Sequence, residues 1–151
     1  MSALNTASTD AQISVHAAQK QSEEQKILRH ILVVEDDASL ATLEADVLTA
    51  CGYTVEIAGT GELAIAALHQ SIPDLVVLDL ELPGTLSGWD VLQALRSHTG
   101  TPVLLTSSET AVRKQMRIHG ESRSTLDHLP KPYPMQTLLK RIERMLTILV
   151  R

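Results

Sequence analysis

The stretch Ile31-Leu32-Val33-Val34-Glu35-Asp36-Asp37 is a short apolar run that ends in three consecutive acidic residues. An aliphatic run without polar alternation is typical of a strand buried on both faces of a parallel sheet. Apolar residues then recur at helical spacing from Leu40 to Cys51, and Gly52 stands where such a helix would end. The stretch therefore predicts one strand and helix unit with carboxylates at the carboxyl end of the strand.

The same alternation of strand and helix repeats along the rest of the chain. Further strands are predicted over residues 53–58, 74–78, 102–105 and 126–129, and further helices over residues 61–70, 89–96, 109–118 and 135–149. Alternating strands and helices with short connections favour an α/β fold, a doubly wound parallel sheet covered by helices on both faces. In such sheets ligands bind beyond the carboxyl ends of the strands, so the residues there are the candidates for function.

Composition limits the classes of protein that this chain can be. Its 151 residues suffice for one domain, which we place at residues 30–151, after a flexible leader at residues 1–29. The net charge of −5 disfavours direct nucleic-acid binding, and a single cysteine excludes an intrachain disulfide and a thiolate metal cluster. Because no run approaches the roughly 18 apolar residues of a membrane span and no signal peptide is recognisable, we expect a cytoplasmic protein without a membrane partner.

Polar residues follow four of the five predicted strands. They are Glu35, Asp36 and Asp37 after the first, Asp79 after the third, Thr106-Ser107-Ser108 after the fourth and Lys131-Pro132 after the fifth. Crowded carboxylates repel one another unless one is protonated, paired or metal-bound, and their oxygens suit a hard cation such as Mg²⁺. A lysine and a hydroxyl opposite that cation would complete a pocket for a phosphoryl group. Taken alone, Asp36 or Asp37 would equally serve as the N-cap of the first helix.

Together these motifs resemble the receiver domain of two-component response regulators. The resemblance covers residues 30–151 and rests on residues 31–37, 74–84, 102–106 and 129–132. It implies a flavodoxin-like fold, in which five parallel strands take the order 2-1-3-4-5 and are accompanied by five helices. It also implies a phosphoacceptor signalling protein of a two-component system, which stores a phosphoryl group, rather than an enzyme that turns over a substrate.

The resemblance gives each polar strand end a role. Asp79 would accept the phosphoryl group of a phosphohistidine on a sensor histidine kinase or phosphotransfer protein, and Thr106 and Lys131 would stabilise it. The Lys131-Pro132 bond is often cis in this family. The Mg²⁺ ligands would be Asp36 and Asp79, Glu35 through water, and the backbone carbonyl of Glu81.

The resemblance also implies an output surface, formed by the fourth helix, the fifth strand and the fifth helix. A pull on Thr106 would reposition this face, which would bind a downstream protein target and is a candidate homodimer surface. Residues 30–106 hold eleven acidic residues and one basic residue, whereas residues 107–151 hold nine basic and four acidic residues. His128 stands where the family generally carries an aromatic switch residue. The basic residues that would dock an acidic partner or a second protomer are Arg113, Lys114, Arg117, Lys140, Arg141 and Arg144.

Three other functions compete with this interpretation. Gly59-Thr60-Gly61 and Ala64 satisfy a dinucleotide-binding fingerprint, but the alternating strand before them, with Glu56 at its centre, suits a sheet edge better than a buried central strand. An aspartate-nucleophile phosphatase would carry an aspartate where Glu81 stands. A phosphorylation-independent docking module of the same fold is disfavoured because Asp79, Thr106 and Lys131 are all present.

Overall fold

Five parallel strands form one sheet in the computed structural model, which describes residues 29–108 and 112–149. The strands are β1 (His30–Val34), β2 (Thr54–Ala58), β3 (Leu75–Asp79), β4 (Val103–Ser107) and β5 (Leu126–Pro130). The helices in these ranges are α1 (Ala38–Ala50), α2 (Gly61–Gln70), α3 (Gly88–Arg96), α4 (Val112–His119) and α5 (Met135–Leu149). The sheet order is β2-β1-β3-β4-β5, which confirms the predicted doubly wound α/β fold with its order 2-1-3-4-5.

The observed elements follow the predicted ones to within a few residues at each end. Residues 1–28 of the expected leader, and residues 109–111 at the start of the expected fourth helix, lie outside the described residues. Gly52 follows the C-cap of α1 with a φ of 97°, a conformation that glycine adopts without strain. No helix within the described ranges is long and apolar enough to cross a membrane.

An aliphatic core lies on both faces of the sheet, because successive side chains of a strand point to opposite faces. On one face, residues such as Leu32 and Leu78 pack with α2, α3 and α4. On the other face, residues such as Val33 and Val77 pack with α1 and α5. The central strands β3 and β4 are buried along their whole length, which explains their continuous apolar sequences.

The strand register brings the carboxyl ends of the central strands to one edge of the sheet. Val34 lies opposite Leu78, so the acidic residues after β1 emerge beside Asp79 at the end of β3. Asp79 in turn lies opposite Thr106, and Thr106 lies opposite Leu129 near the end of β5. The polar residues that the sequence places after separate strands therefore meet at this edge.

Strand β2 lies at the free edge of the sheet, which contradicts the dinucleotide-binding alternative. Its residues Thr54, Glu56 and Ile57 are exposed, whereas the dinucleotide fingerprint belongs after a buried central strand. Packing accounts for Gly61, because a Cβ there would lie 2.8 Å from Leu86 Cβ. Gly61 therefore needs no bound cofactor to explain it.

Candidate functional site

Three carboxylates converge at the carboxyl edge of the sheet. Glu35, Asp36 and Asp79 each offer an oxygen within 4.8 Å of the other two. Glu35 and Asp79 are buried, at 3% and 1% exposure, while Asp36 is exposed to solvent. The arrangement is a small acidic pocket that is open on one side.

Asp79 is held in this pocket by two donors. The backbone N–H of Glu81 donates to Asp79 Oδ1 at 2.9 Å, and the Lys131 ammonium donates to Oδ2 at 3.2 Å. A Cβ at Gly88 would lie 2.4 Å from the Asp79 carbonyl oxygen, so the first residue of α3 must be glycine to pack against the end of β3. The carboxylate is thus fixed at the floor of the pocket.

Lys131 reaches the pocket from the end of β5. Its ammonium donates to Glu35 Oε1 at 2.7 Å, its backbone N–H donates to the Ser107 carbonyl at 2.9 Å, and the Lys131-Pro132 peptide bond is cis, as the resemblance implies. Burial lowers the pKa of Lys131, but the hydrogen bond to Glu35 and the charge of Asp79 outweigh burial, so the net shift is upward. The ammonium therefore stays charged beside the carboxylates.

Burial and the neighbouring Asp79 together raise the pKa of Glu35 to about 7, although Lys131 opposes this shift. A single ammonium does not neutralise three clustered carboxylates. The donor set consists of hard carboxylate oxygens, two of them buried, which is the chemistry that Mg²⁺ prefers. The residues present therefore fit a divalent cation at this position.

Glu81 takes a position that the sequence did not indicate. Its carboxylate lies outside the acidic cluster and accepts hydrogen bonds from Ser107 Oγ at 3.0 Å, from the Ser108 backbone N–H at 2.9 Å and from Ser108 Oγ at 2.6 Å. The bond from Ser108 is the main cause of a lowered pKa of Glu81. The loop after β3 is thereby tied to the loop after β4, next to the buried Thr106.

Asp37 acts as a helix cap rather than as part of the cluster. Its Oδ1 accepts hydrogen bonds from the backbone N–H groups of Ser39 and Leu40, at 3.0 and 3.2 Å. Either aspartate could have been the N-cap from the sequence. In the structure Asp36 lies in the pocket and Asp37 is the N-cap of α1.

A second feature that the sequence did not reveal joins α1 to the segment after β5. The hydroxyl of Tyr133 donates to the buried carboxylate of Glu44, which lies 89 positions earlier. Burial raises the pKa of Glu44, although the hydrogen bond from Tyr133 lowers it in part. The sequence contains no pattern that links Glu44 to Tyr133.

The expected output face contains a basic groove of about 280 Å³ between α4, β5 and α5. Arg113, Arg117 and Arg123 line it without a carboxylate partner among the described residues. Arg141 and Arg144, by contrast, both bind Asp127 of β5, so two of the six basic residues expected to dock a partner are engaged within the chain.

His128 also lines this groove. It is half-buried, and its Nε2 has no hydrogen-bond partner in the part of the chain that the structure describes. Burial and the charge of Arg113 lower the pKa of His128. At neutral pH we therefore expect an uncharged ring at the position of the aromatic switch residue.

Beside this face, the indole of Trp89 in α3 stacks on the imidazole of His119 in α4. The ring centroids are 5.7 Å apart and the ring planes differ by 12°. His119 Nδ1 also lies 4.0 Å from Glu121 Oε2. The contact joins α4 to α3.

Comparisons with known proteins agree on one family. Residues 31–143 match the response regulator receiver domain. The chain is similar to the probable transcriptional regulatory protein TcrX of Mycobacterium tuberculosis, at 39% identity over 117 residues, and to the DNA-binding response regulator MtrA of the same species, at 36% identity over 114 residues. These regions are 77% and 76% of this chain and 49% of each relative, so the chain spans about half the length of these curated relatives.

A solved structure gives the same result. The chemotaxis response regulator CheY4 of Vibrio cholerae is 28% identical, with a TM-score of 0.68 over 78% of this chain and 98% of that one. Both the sequence and the arrangement of the strands therefore agree with receiver domains.

Proposed function

The chain belongs to the response regulator receiver domain family, and from that membership we propose that Asp79 is the residue that accepts the phosphoryl group in two-component signalling. The observation that carries the proposal is the position of the Asp79 carboxylate, buried at the floor of an acidic pocket and within 3.2 Å of the Lys131 ammonium. We place the domain at residues 30–151, which extends the matched region through α5, with residues 1–29 as a leader before it.

The chemistry is a direct transfer. An Asp79 carboxylate oxygen attacks the phosphorus of a phosphohistidine, the P–N bond breaks, and the electron pair remains on the leaving imidazole of the donor. Negative charge spreads over the phosphoryl oxygens during the transfer, so the Lys131 ammonium and the Thr106 hydroxyl would orient and stabilise the group.

The cofactor that we propose is Mg²⁺. Asp36 and Asp79 would bind it directly, Glu35 through water, and Glu81 through its backbone carbonyl. When bound, the cation would neutralise phosphoryl oxygens that the acidic pocket would otherwise repel. The convergence of three carboxylates within 4.8 Å supports this assignment.

We propose two kinds of protein partner, a phosphoryl donor and a downstream target. The phosphoryl donor is a sensor histidine kinase or a phosphotransfer protein, and the α4–β5–α5 face binds a downstream protein. Arg113, Arg117 and Arg123 of the basic groove, which lack a carboxylate partner in residues 29–108 and 112–149, favour an acidic partner. We infer that a second copy of the chain is one such partner, since residues 30–106 carry eleven acidic residues against one basic residue.

Intact mass spectrometry after incubation with acetyl phosphate tests the phosphoacceptor. We expect the wild type to gain one phosphoryl adduct with Mg²⁺ present and none when EDTA removes the metal. Asp79→Asn should gain no adduct, whereas Asp46→Asn, a matched change at an exposed position of α1, should behave as the wild type. If the folded wild type stayed unmodified while a known receiver was labelled in parallel, the chain would instead be a docking module that does not take phosphate.

A further inference from the structure

Glu44 is a buried carboxylate outside the phosphoacceptor pocket. It is 1% exposed and lies on the inward face of α1, between the buried residues Ala41 and Leu48. The Tyr133 hydroxyl donates to its Oε1, while its Oε2 is buried with no partner among the described residues. A buried carboxyl with one oxygen unpartnered costs free energy, so leucine would be the cheaper residue if Glu44 served packing alone.

The hydrogen bond between Tyr133 and Glu44 connects the segment that carries Lys131 to the helix that follows Asp36. Tyr133 follows Lys131 by two residues, and the backbone N–H of Lys131 is already tied to β4 through the Ser107 carbonyl. Glu44 belongs to the helix that begins directly after Asp36 and its neighbour Asp37. The segment 131–133 is therefore held by β4 at its start and by α1 at its end.

We propose that Glu44 is a positioning residue for Lys131 and acts through the hydroxyl of Tyr133. This inference rests on the proposed function, in which the Lys131 ammonium must meet the phosphoryl group beside Asp79. Lysine is long and flexible, and an error of about 1 Å in a group that contacts the transferred phosphoryl lowers the rate severely. A fixed backbone on both sides of Lys131 restricts the positions that its ammonium can take.

The role requires a hydrogen-bond acceptor at position 44 rather than a negative charge. A carboxyl Oε1 accepts from a hydroxyl whether or not the group is ionised, and a glutamine oxygen does the same. Glu44→Gln should therefore preserve the function, whereas Glu44→Leu and Tyr133→Phe should each remove it. Tyr53→Phe is the matched control, because Tyr53 is packed in the same apolar cluster as Tyr133.

Two measurements on the full chain test the inference. The first is the rate of phosphoryl incorporation from acetyl phosphate at saturating Mg²⁺. We expect the rate to fall by about fivefold to tenfold in Tyr133→Phe and in Glu44→Leu. The variant that combines these two substitutions should show no larger fall. Glu44→Gln and Tyr53→Phe should keep a rate within about twofold of wild type. Mg²⁺ affinity, measured by calorimetry, should stay unchanged in all four single variants, since none of them alters Glu35, Asp36 or Asp79.

The second measurement does not depend on phosphorylation. Lys131 is one of five lysines, so its ¹³Cε relaxation can be assigned in lysine-labelled protein with Lys131→Arg. We expect greater mobility of this methylene in Tyr133→Phe and Glu44→Leu, but not in Glu44→Gln or Tyr53→Phe. Unchanged Lys131 mobility in folded Tyr133→Phe would overturn the inference, even if the wild type failed to accept phosphate and the proposed function failed separately.

Discussion

At the scale of single residues, the pocket is defined by charges that do not balance. Three carboxylates cluster there, one ammonium contacts two of them, and the pKa of Glu35 rises to about 7 through burial and through Asp79. Such an imbalance costs stability when no cation is bound and favours binding of a divalent cation. The same site that costs stability is therefore prepared for its ligand.

Glu44 provides a prediction about pH at this scale. Burial raises its folded-state pKa above the ordinary value of 4.5, so between these two pKa values the folded chain holds a proton that the unfolded chain has lost. The stability that this group contributes is present below pH 4.5 and is lost as the pH rises through the raised pKa. Glu44→Gln should therefore gain free energy of unfolding relative to wild type over that range.

Urea denaturation between pH 4 and pH 8 measures this difference. Glu143→Gln, which makes the same substitution at an exposed site on α5, is the matched control. Parallel stability curves for wild type and Glu44→Gln would show that Glu44 ionises as freely in the folded protein as in the unfolded chain.

At the scale of elements, the start of α1 combines a structural and a chemical function in adjacent residues. Asp37 caps the helix through Ser39 and Leu40, and Asp36 faces the pocket. We expect Asp37→Ala to cost about 1 kcal/mol of stability because two backbone N–H groups lose their acceptor, while Mg²⁺-dependent phosphorylation is retained. Asp36→Ala should weaken Mg²⁺ binding without a loss of stability, because it removes one of the three clustered carboxylates.

Thermal or urea unfolding and magnesium titration of the two variants separate these effects. Asp46→Ala, on an exposed turn of the same helix, supplies the control for loss of an aspartate from α1. If Asp37→Ala weakened Mg²⁺ binding as much as Asp36→Ala did, the division between cap and ligand would be wrong.

The sequence could predict the elements because each depends on local periodicity. Continuous apolar runs identified β3 and β4, and the alternating pattern with Glu56 identified β2 as an edge strand. The strand ends were also predictable, since parallel strands direct their carboxyl ends to one edge. The hydrogen bond between Glu44 and Tyr133 could not be predicted, because the two residues lie 89 positions apart and no local pattern relates them.

At the scale of the whole molecule, charge is separated between the two parts of the chain. The three carboxylates of the acidic pocket fall within residues 30–106, while the basic groove falls within residues 107–151. Within residues 107–151, Asp127 forms ion pairs with Arg141 and Arg144, so these two arginines are less available to a partner than Arg113 and Arg117. Complementary surfaces on one chain favour association between copies, most strongly at low ionic strength.

Charge reversal at the groove tests that association. We expect Arg113→Glu combined with Arg117→Glu to leave the phosphorylation rate within about twofold of wild type, because neither side chain contacts the pocket, and to abolish self-association of the phosphorylated protein. Sedimentation velocity at low and high salt measures the association, with Gln70→Glu on α2 as a control. A variant that associates as strongly as wild type at every salt concentration would exclude this face as the dimer surface.

The contact between Trp89 and His119 gives the protein a built-in optical signal. Trp89 is the only tryptophan, so all indole fluorescence arises where α3 meets α4. Indole emission depends on the groups in contact with the ring. Any rearrangement that draws α4 away from α3 would therefore change the emission of Trp89, and this change could be followed in solution without an added dye.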